Sequence, residues 1–163
     1  MPLEVRTDSA EETREVGEAI AALLRARDAV VLTGDLGAGK TTFVQGVARG
    51  LGIEEQVSSP TFTLVKEYTG ILDVAHVDVY RLERLQDVMD LGLEELGGGD
   101  DVLLVEWGDT IEELLPDDRL RVTLTTGASE DERRSIAITA TGPLWAERFA
   151  ALEAAVMPWT VRT

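Results

Sequence analysis

Residues 28–41 have the sequence DAVVLTGDLGAGKT, and this stretch decides the fold. Its first six residues form a short apolar run rich in β-branched side chains, which is typical of a strand buried on both faces of a parallel sheet. Residues 34–41 match the pattern G-x-x-x-x-G-K-[ST] of a phosphate-binding loop, and roughly 0.002 accidental matches are expected in a chain of this composition. The stretch therefore predicts a strand, a phosphate-binding turn and a helix that begins at Lys40.

The predicted loop has the chemistry of a nucleotide site. Its backbone N–H groups and the N-terminus of the following helix form a concave, electropositive nest that holds β- and γ-phosphates. The Lys40 ammonium adds a positive charge, and the Thr41 hydroxyl is placed to ligate Mg²⁺. We expect ATP rather than GTP, because the chain has no N-K-x-D stretch for guanine recognition. The nucleotide-binding residues predicted from this loop are Asp35, Leu36, Gly37, Ala38, Gly39, Lys40, Thr41 and Thr42.

Helices and strands alternate along the rest of the chain. Periodicity and capping signals predict helices over residues 9–26, 40–51 and 87–96, and a last helix that opens at Pro143 with Leu144 on its apolar side. Short apolar or alternating runs predict strands over residues 28–33, 62–68, 71–80, 101–107, 120–125 and 134–141. We therefore predict one α/β domain over residues 1–163, with a P-loop NTPase-like, three-layer fold whose parallel core sheet carries antiparallel hairpin additions.

An acidic group at the end of a neighbouring strand is also needed, because the metal ion that bridges the phosphates must be held in place. Residues 102–106, VLLVE, supply the strong candidate, Glu106, as a metal ligand or as a catalytic group that orients water. The alternative is a strand-end carboxylate that lies in solvent. The adjacent Trp107 has two interpretations, stacking at the nucleotide or packing in the core.

A further group of polar residues lies in the stretch AHVDVYR at 75–81. Strand alternation places His76, Asp78 and Tyr80 on one face. Because three polar side chains are costly in a sealed core, we expect this face to meet a cleft or a solvated edge. Asp78 is then a candidate for orienting water or the ligands of the metal, and the alternative is an amphipathic edge strand. Upstream, Thr61 is a candidate sensor of the γ-phosphate or part of a plain turn.

Composition excludes several classes of function. The chain carries 31 acidic and 15 basic residues, a formal charge of −16, which argues against tight unaided binding to nucleic acid. It has no cysteine and one histidine, so zinc ribbons, thiol chemistry and iron–sulfur clusters are excluded. No window approaches the ~18 apolar residues of a membrane span, and the N-terminus lacks the pattern of a secretory signal. The expected location is the cytoplasm.

Four motifs in order, GDLGAGKTT (34–42), SSPTFTLVKEY (58–68), HVDVYRL (76–82) and LVEWGD (104–109), resemble the TsaE family over residues 9–125. The resemblance implies a P-loop ATPase for threonylcarbamoyladenosine in tRNA, which works with TsaB- and TsaD-like proteins and reaches tRNA only through that complex. It assigns Lys40 to phosphate, Thr41 and Glu106 to Mg²⁺, Asp78 to a catalytic or supporting role, and Trp107 to a position near the nucleotide.

Two other functions stay open at this point. A small-molecule P-loop kinase would need a lid that carries Arg or Lys. Residues 82–118 contain only Arg84, which disfavours a kinase. The second alternative is a nucleotide-gated adaptor that binds ATP without hydrolysing it, and phosphate release with and without partner proteins would separate it from an ATPase.

Overall fold

A computed structural model describes residues 2–35, 37–58, 65–78, 100–106, 115–126 and 133–161. Within these ranges, helices and strands follow one another in chain order. The elements are β1 (Leu3–Thr7), α1 (Ala10–Ala21), β2 (Ala29–Thr33), α2 (Lys40–Gly50), β3 (Val65–Tyr68), β4 (Val74–Asp78), β5 (Val102–Glu106), β6 (Arg119–Thr126), β7 (Arg134–Thr141), α3 (Pro143–Ala146), α4 (Phe149–Val156) and a 3₁₀ turn (Met157–Trp159). No helix in the described ranges is long and apolar enough to cross a membrane.

The described strands form one sheet in the order β1-β7-β6-β2-β5-β4-β3. Its centre is parallel, because β2 pairs with β6 and β5, and β5 pairs with β4. The outer pairs β3–β4, β6–β7 and β7–β1 are antiparallel. The predicted parallel core with antiparallel additions is confirmed, and the strand that leads into the phosphate-binding loop lies in the middle of the sheet.

Both faces of β2 and β5 are buried, as is typical of strands inside a parallel sheet. Val30 and Leu32 of β2 belong to the apolar cluster that includes Val16 and Ile20 of α1 and Phe43 of α2. The alternate residues of β2 are buried as well. The two helices pack closely, since a Cβ added at Gly46 would lie 2.0 Å from the Arg14 carbonyl oxygen. This contact holds α2, and so the end of the loop that precedes it, against α1.

Some predicted boundaries are wrong. Helix α1 begins as predicted, with the Ser9 hydroxyl accepting from the Glu12 N–H at 3.1 Å, but ends at Ala21 instead of residue 26. Strand β4 starts at Val74 rather than residue 71, because Ile71 lies in an exposed turn and donates its N–H to the Leu51 carbonyl. Strand β1 was not predicted. Residue 101, which was predicted to be in a strand, lies just before β5. The predicted helix over 87–96 and the predicted strand residues 62–64, 79–80 and 107 lie outside the described residues.

The C-terminal helix differs from its prediction in two ways. It opens at Pro143 as expected, but it is interrupted after Ala146 and continues as α4. Leu144, predicted on the apolar side, is 49% exposed, and Trp145 is buried instead. The interruption places Arg148 between the two helices, where its side chain turns inward to a buried carboxylate, that of Asp28.

Candidate functional site

The glycine-rich loop leaves the central strand β2 and enters α2 at Lys40. Gly39, the residue before α2, has φ 102°, a left-handed conformation that favours glycine. Gly34 passes so close to β6 that a Cβ would lie 2.3 Å from the Leu124 carbonyl oxygen. The loop geometry therefore depends on the absence of side chains at these two motif positions.

Lys40 lies inside this loop. Its buried side chain donates from Nζ to the carbonyl oxygens of Gly34 at 2.7 Å and Asp35 at 2.9 Å. The ammonium group is thus held among the backbone groups that are predicted to surround phosphate. Of the other predicted nucleotide-binding residues, Asp35 and Gly37 are exposed, Ala38 is buried, and Thr41 and Thr42 are half-buried. Leu36 lies outside the described residues.

Thr41 and Glu106 meet at the start of α2. The Thr41 hydroxyl donates to Oε1 of Glu106 at 3.3 Å. Glu106 is 3% exposed, so it is not a strand-end carboxylate in solvent. A hydroxyl and a carboxylate oxygen are hard ligands of the kind that Mg²⁺ prefers, and this ion takes only one or two protein ligands when phosphates and water complete its coordination. The pair fits such an ion, and no larger cluster of metal-binding side chains occurs within the described ranges.

His76 also contacts Glu106, on its other oxygen. The distance from His76 Nε2 to Glu106 Oε2 is 2.5 Å, and His76 is 0% exposed. The expectation that this face of β4 meets a cleft or a solvated edge is therefore wrong at His76. The physical reason is that β4 is an inner strand, flanked by β5 and β3, and the Glu106 carboxylate satisfies the imidazole inside the core.

Asp78 lies at the end of the same face. Its Cα is paired with that of Glu106 across the parallel β4–β5 ladder, so the two side chains project from the same face at adjacent strand ends. Asp78 is half-buried. The predicted face that holds His76 and Asp78 is thereby placed beside Glu106. Tyr80, Trp107 and Thr61 are outside the described residues.

Arg134, at the start of β7, is a part of the site that sequence reasoning missed. Its Nε donates to the Ala38 carbonyl at 2.9 Å and its Nη2 to the Gly37 carbonyl at 3.3 Å. Arg134 therefore connects the distant β7 strand to the phosphate-binding loop. A single arginine at a strand start carries no sequence signal for such a contact, because it depends on the order of strands in the sheet.

Comparison with known proteins supplies the family. A family model described as "Threonylcarbamoyl adenosine biosynthesis protein TsaE" matches residues 7–136, well over half of the chain. This chain belongs to the TsaE family. A TsaE protein of Bacillus subtilis is 48% identical over 141 residues, covering 86% of this chain and 87% of the relative. A TsaE protein of Treponema pallidum is 43% identical over 130 residues, covering 80% of this chain and 95% of the relative.

A solved structure of similar sequence has the same fold. The crystal structure of Bacillus subtilis YdiB matches with a TM-score of 0.77 and 40% identity, over 97% of this chain and 95% of that one. The resemblance to TsaE proteins that the four motifs indicated is confirmed, and so is the P-loop NTPase-like α/β fold. The TsaE match also extends past β6 to the start of β7, where Arg134 contacts the loop.

Proposed function

We propose that this chain is a Mg²⁺-dependent ATPase subunit of the machinery that makes threonylcarbamoyladenosine in tRNA. Membership of the TsaE family supports the biosynthetic role, since that process is named in the family description and in the names of the relatives. The observation that carries the ATP-binding part is the glycine-rich loop at the end of β2, with Lys40 held inside it and the Thr41–Glu106 pair beside it.

Each residue has a distinct part in this proposal. The loop N–H groups and the N-terminus of α2 bind the β- and γ-phosphates, and Lys40 offsets their negative charge. Thr41 and Glu106 would hold Mg²⁺, which when bound neutralises phosphate charge and fixes phosphate geometry. Asp78, next to Glu106 in the sheet, orients the attacking water or a ligand of the metal.

The charge of the chain bears on its partners. With a formal charge of −16, the surface repels the RNA backbone, so RNA is bound by other subunits and this chain docks on protein. TsaB- and TsaD-like proteins are the partners that the family resemblance implies. The location that we propose for this chain is the cytoplasm.

The test compares the two lysines of the chain. Lys40→Ala should abolish most ATP binding and phosphate release while the protein stays folded, because the lysine mainly offsets ligand charge. Lys66→Ala is the matched control, since Lys66 lies on β3 with Nζ 5.5 Å from the Tyr68 ring centroid. Calorimetry would measure ATP binding, and phosphate release would be assayed with and without TsaB and TsaD.

The same variants are then expressed in cells depleted of the protein, and the modified nucleoside is measured in their tRNA. The parent and Lys66→Ala should restore threonylcarbamoyladenosine, and Lys40→Ala should not. Parent-like binding and turnover by Lys40→Ala would reject the phosphate site. ATP binding by the parent with no phosphate release, even with partners, would make the chain a nucleotide-gated adaptor. Unchanged modification after depletion would reject the biosynthetic role.

A further inference from the structure

His76 is the one histidine of the chain, and the roles assigned so far do not use it. Its imidazole is completely buried on the face of β4 that looks toward Glu106. The two oxygens of Glu106 have different partners. Oε2 lies 2.5 Å from His76 Nε2, and Oε1 accepts from the Thr41 hydroxyl at 3.3 Å. The carboxylate is therefore bound from both sides.

The hydrogen bonds assign the ring proton. His76 Nδ1 is buried and has no hydrogen-bond partner among the residues that the structure describes. A proton on Nδ1 would be a buried donor without an acceptor, whereas a bare Nδ1 lone pair costs less. The proton accordingly lies on Nε2, which donates to Glu106 Oε2. Within the described part of the chain, His76 contacts the site through this donor.

We propose that His76 is a positioning residue that fixes the plane of the Glu106 carboxylate, so that Oε1 faces Thr41 and the site for Mg²⁺. A carboxylate with one donor rotates about its terminal bond, whereas donors on separate oxygens hold it in one orientation. Partners that orient metal ligands in this way commonly change metal affinity by about 10- to 100-fold when they are removed. The inference rests on the proposed function, because it requires Glu106 to serve the metal.

The test measures metal binding directly, without turnover. Mn²⁺ binding to the complex with a non-hydrolysable ATP analogue is followed by electron paramagnetic resonance, and metal-free analogue binding is measured in EDTA. His76→Leu removes the donor and should weaken Mn²⁺ binding by about 10-fold or more, with metal-free affinity changed by less than about threefold. Val77→Ala is the matched control, since Val77 is buried in the same strand but projects from the opposite face. It should destabilise the fold and leave Mn²⁺ affinity unchanged.

Two polar variants keep the inference testable if His76→Leu does not fold. His76→Gln retains an N–H donor at about the distance of Nε2 and should bind Mn²⁺ nearly as the parent does. His76→Asn places its donor too close to the backbone and should be impaired like the leucine variant. Parent-like Mn²⁺ affinity in both His76→Leu and His76→Asn would overturn the positioning role. If His76→Leu weakened metal-free binding of the ATP analogue as much as it weakened Mn²⁺ binding, the positioning role would also be overturned. If the parent itself shows no metal dependence, the proposed function fails first.

Discussion

The buried ion pair between Asp28 and Arg148 gives the sharpest stability prediction. Asp28 directly precedes β2, and Arg148 lies between α3 and α4. The guanidinium donates to both carboxylate oxygens, at 2.6 and 2.9 Å, and the two side chains are each only 6% exposed. Arg148 also donates to the carbonyls of Leu23 and Leu144 and lies 3.8 Å from the Trp145 ring centroid.

Asp28→Ala would leave the Arg148 charge buried with neutral partners alone among the described residues. Removing one member of a buried pair costs about 3–5 kcal/mol, which is a large fraction of the roughly 5–15 kcal/mol that stabilises a typical domain. At about 2–4 °C per kcal/mol for a chain of this size, the melting temperature should fall by roughly 6–20 °C. The double variant Asp28→Ala/Arg148→Ala should lose less than the sum of the single variants, by at least about 1.5 kcal/mol, because it removes both charges.

Urea denaturation followed by circular dichroism measures these free energies of unfolding. Asp100→Ala is the control, since Asp100 forms an exposed pair with Arg27 at 3.3 Å and its side chain is 84% exposed. That exposed pair should contribute less than about 1 kcal/mol. If Asp28→Ala costs no more than Asp100→Ala, or if the single losses simply add in the double variant, the buried pair is not coupled and the reasoning is refuted.

Two predictions concern the site itself. Asp78→Asn should fold and bind ATP but lose turnover by about 10²-fold or more, measured as single-turnover hydrolysis at saturating Mg²⁺ with the partners present; parent-like rates would leave Glu106 as the candidate for positioning water. Arg134→Gln removes charged donors from the loop carbonyls of Gly37 and Ala38 and should weaken ATP binding by about 1 kcal/mol, roughly fivefold by calorimetry. Arg133→Gln, at the exposed neighbouring position, should leave ATP binding unchanged. Equal effects of the two variants would contradict a specific role of Arg134 at the loop.

Local sequence was sufficient for the parts of the fold that local interactions determine. The strand before the loop, the start of α2 and the Ser9 cap each depend on residues within a few positions of one another. Strand β1 was missed because its partner is β7, with Leu3 aligned to Ile138 at the other end of the chain. A strand of five residues at the edge of a sheet is too short to show a clear alternation of apolar and polar residues.

For the site, too, local sequence identified individual residues but not the contacts between them. The motif identified Lys40 and Thr41, and the apolar run before Glu106 identified that acid as a strand end. Their contacts could not be predicted, because His76 and Glu106 are 30 residues apart and meet only through the pairing of β4 with β5. Strand alternation predicted that His76, as a polar residue, would face a cleft or solvent. In the fold, the Glu106 carboxylate is its polar partner instead.

The solitary imidazole has a practical consequence for spectroscopy. Because the chain has one histidine, its ring carbons and protons give a single, already assigned set of magnetic resonance signals. That ring is buried and in contact with Glu106, so its signals are sensitive to changes at that carboxylate. The native protein thus carries an intrinsic probe of the Glu106 carboxylate, which can be followed while a metal ion or another protein is added, without any labelling mutation.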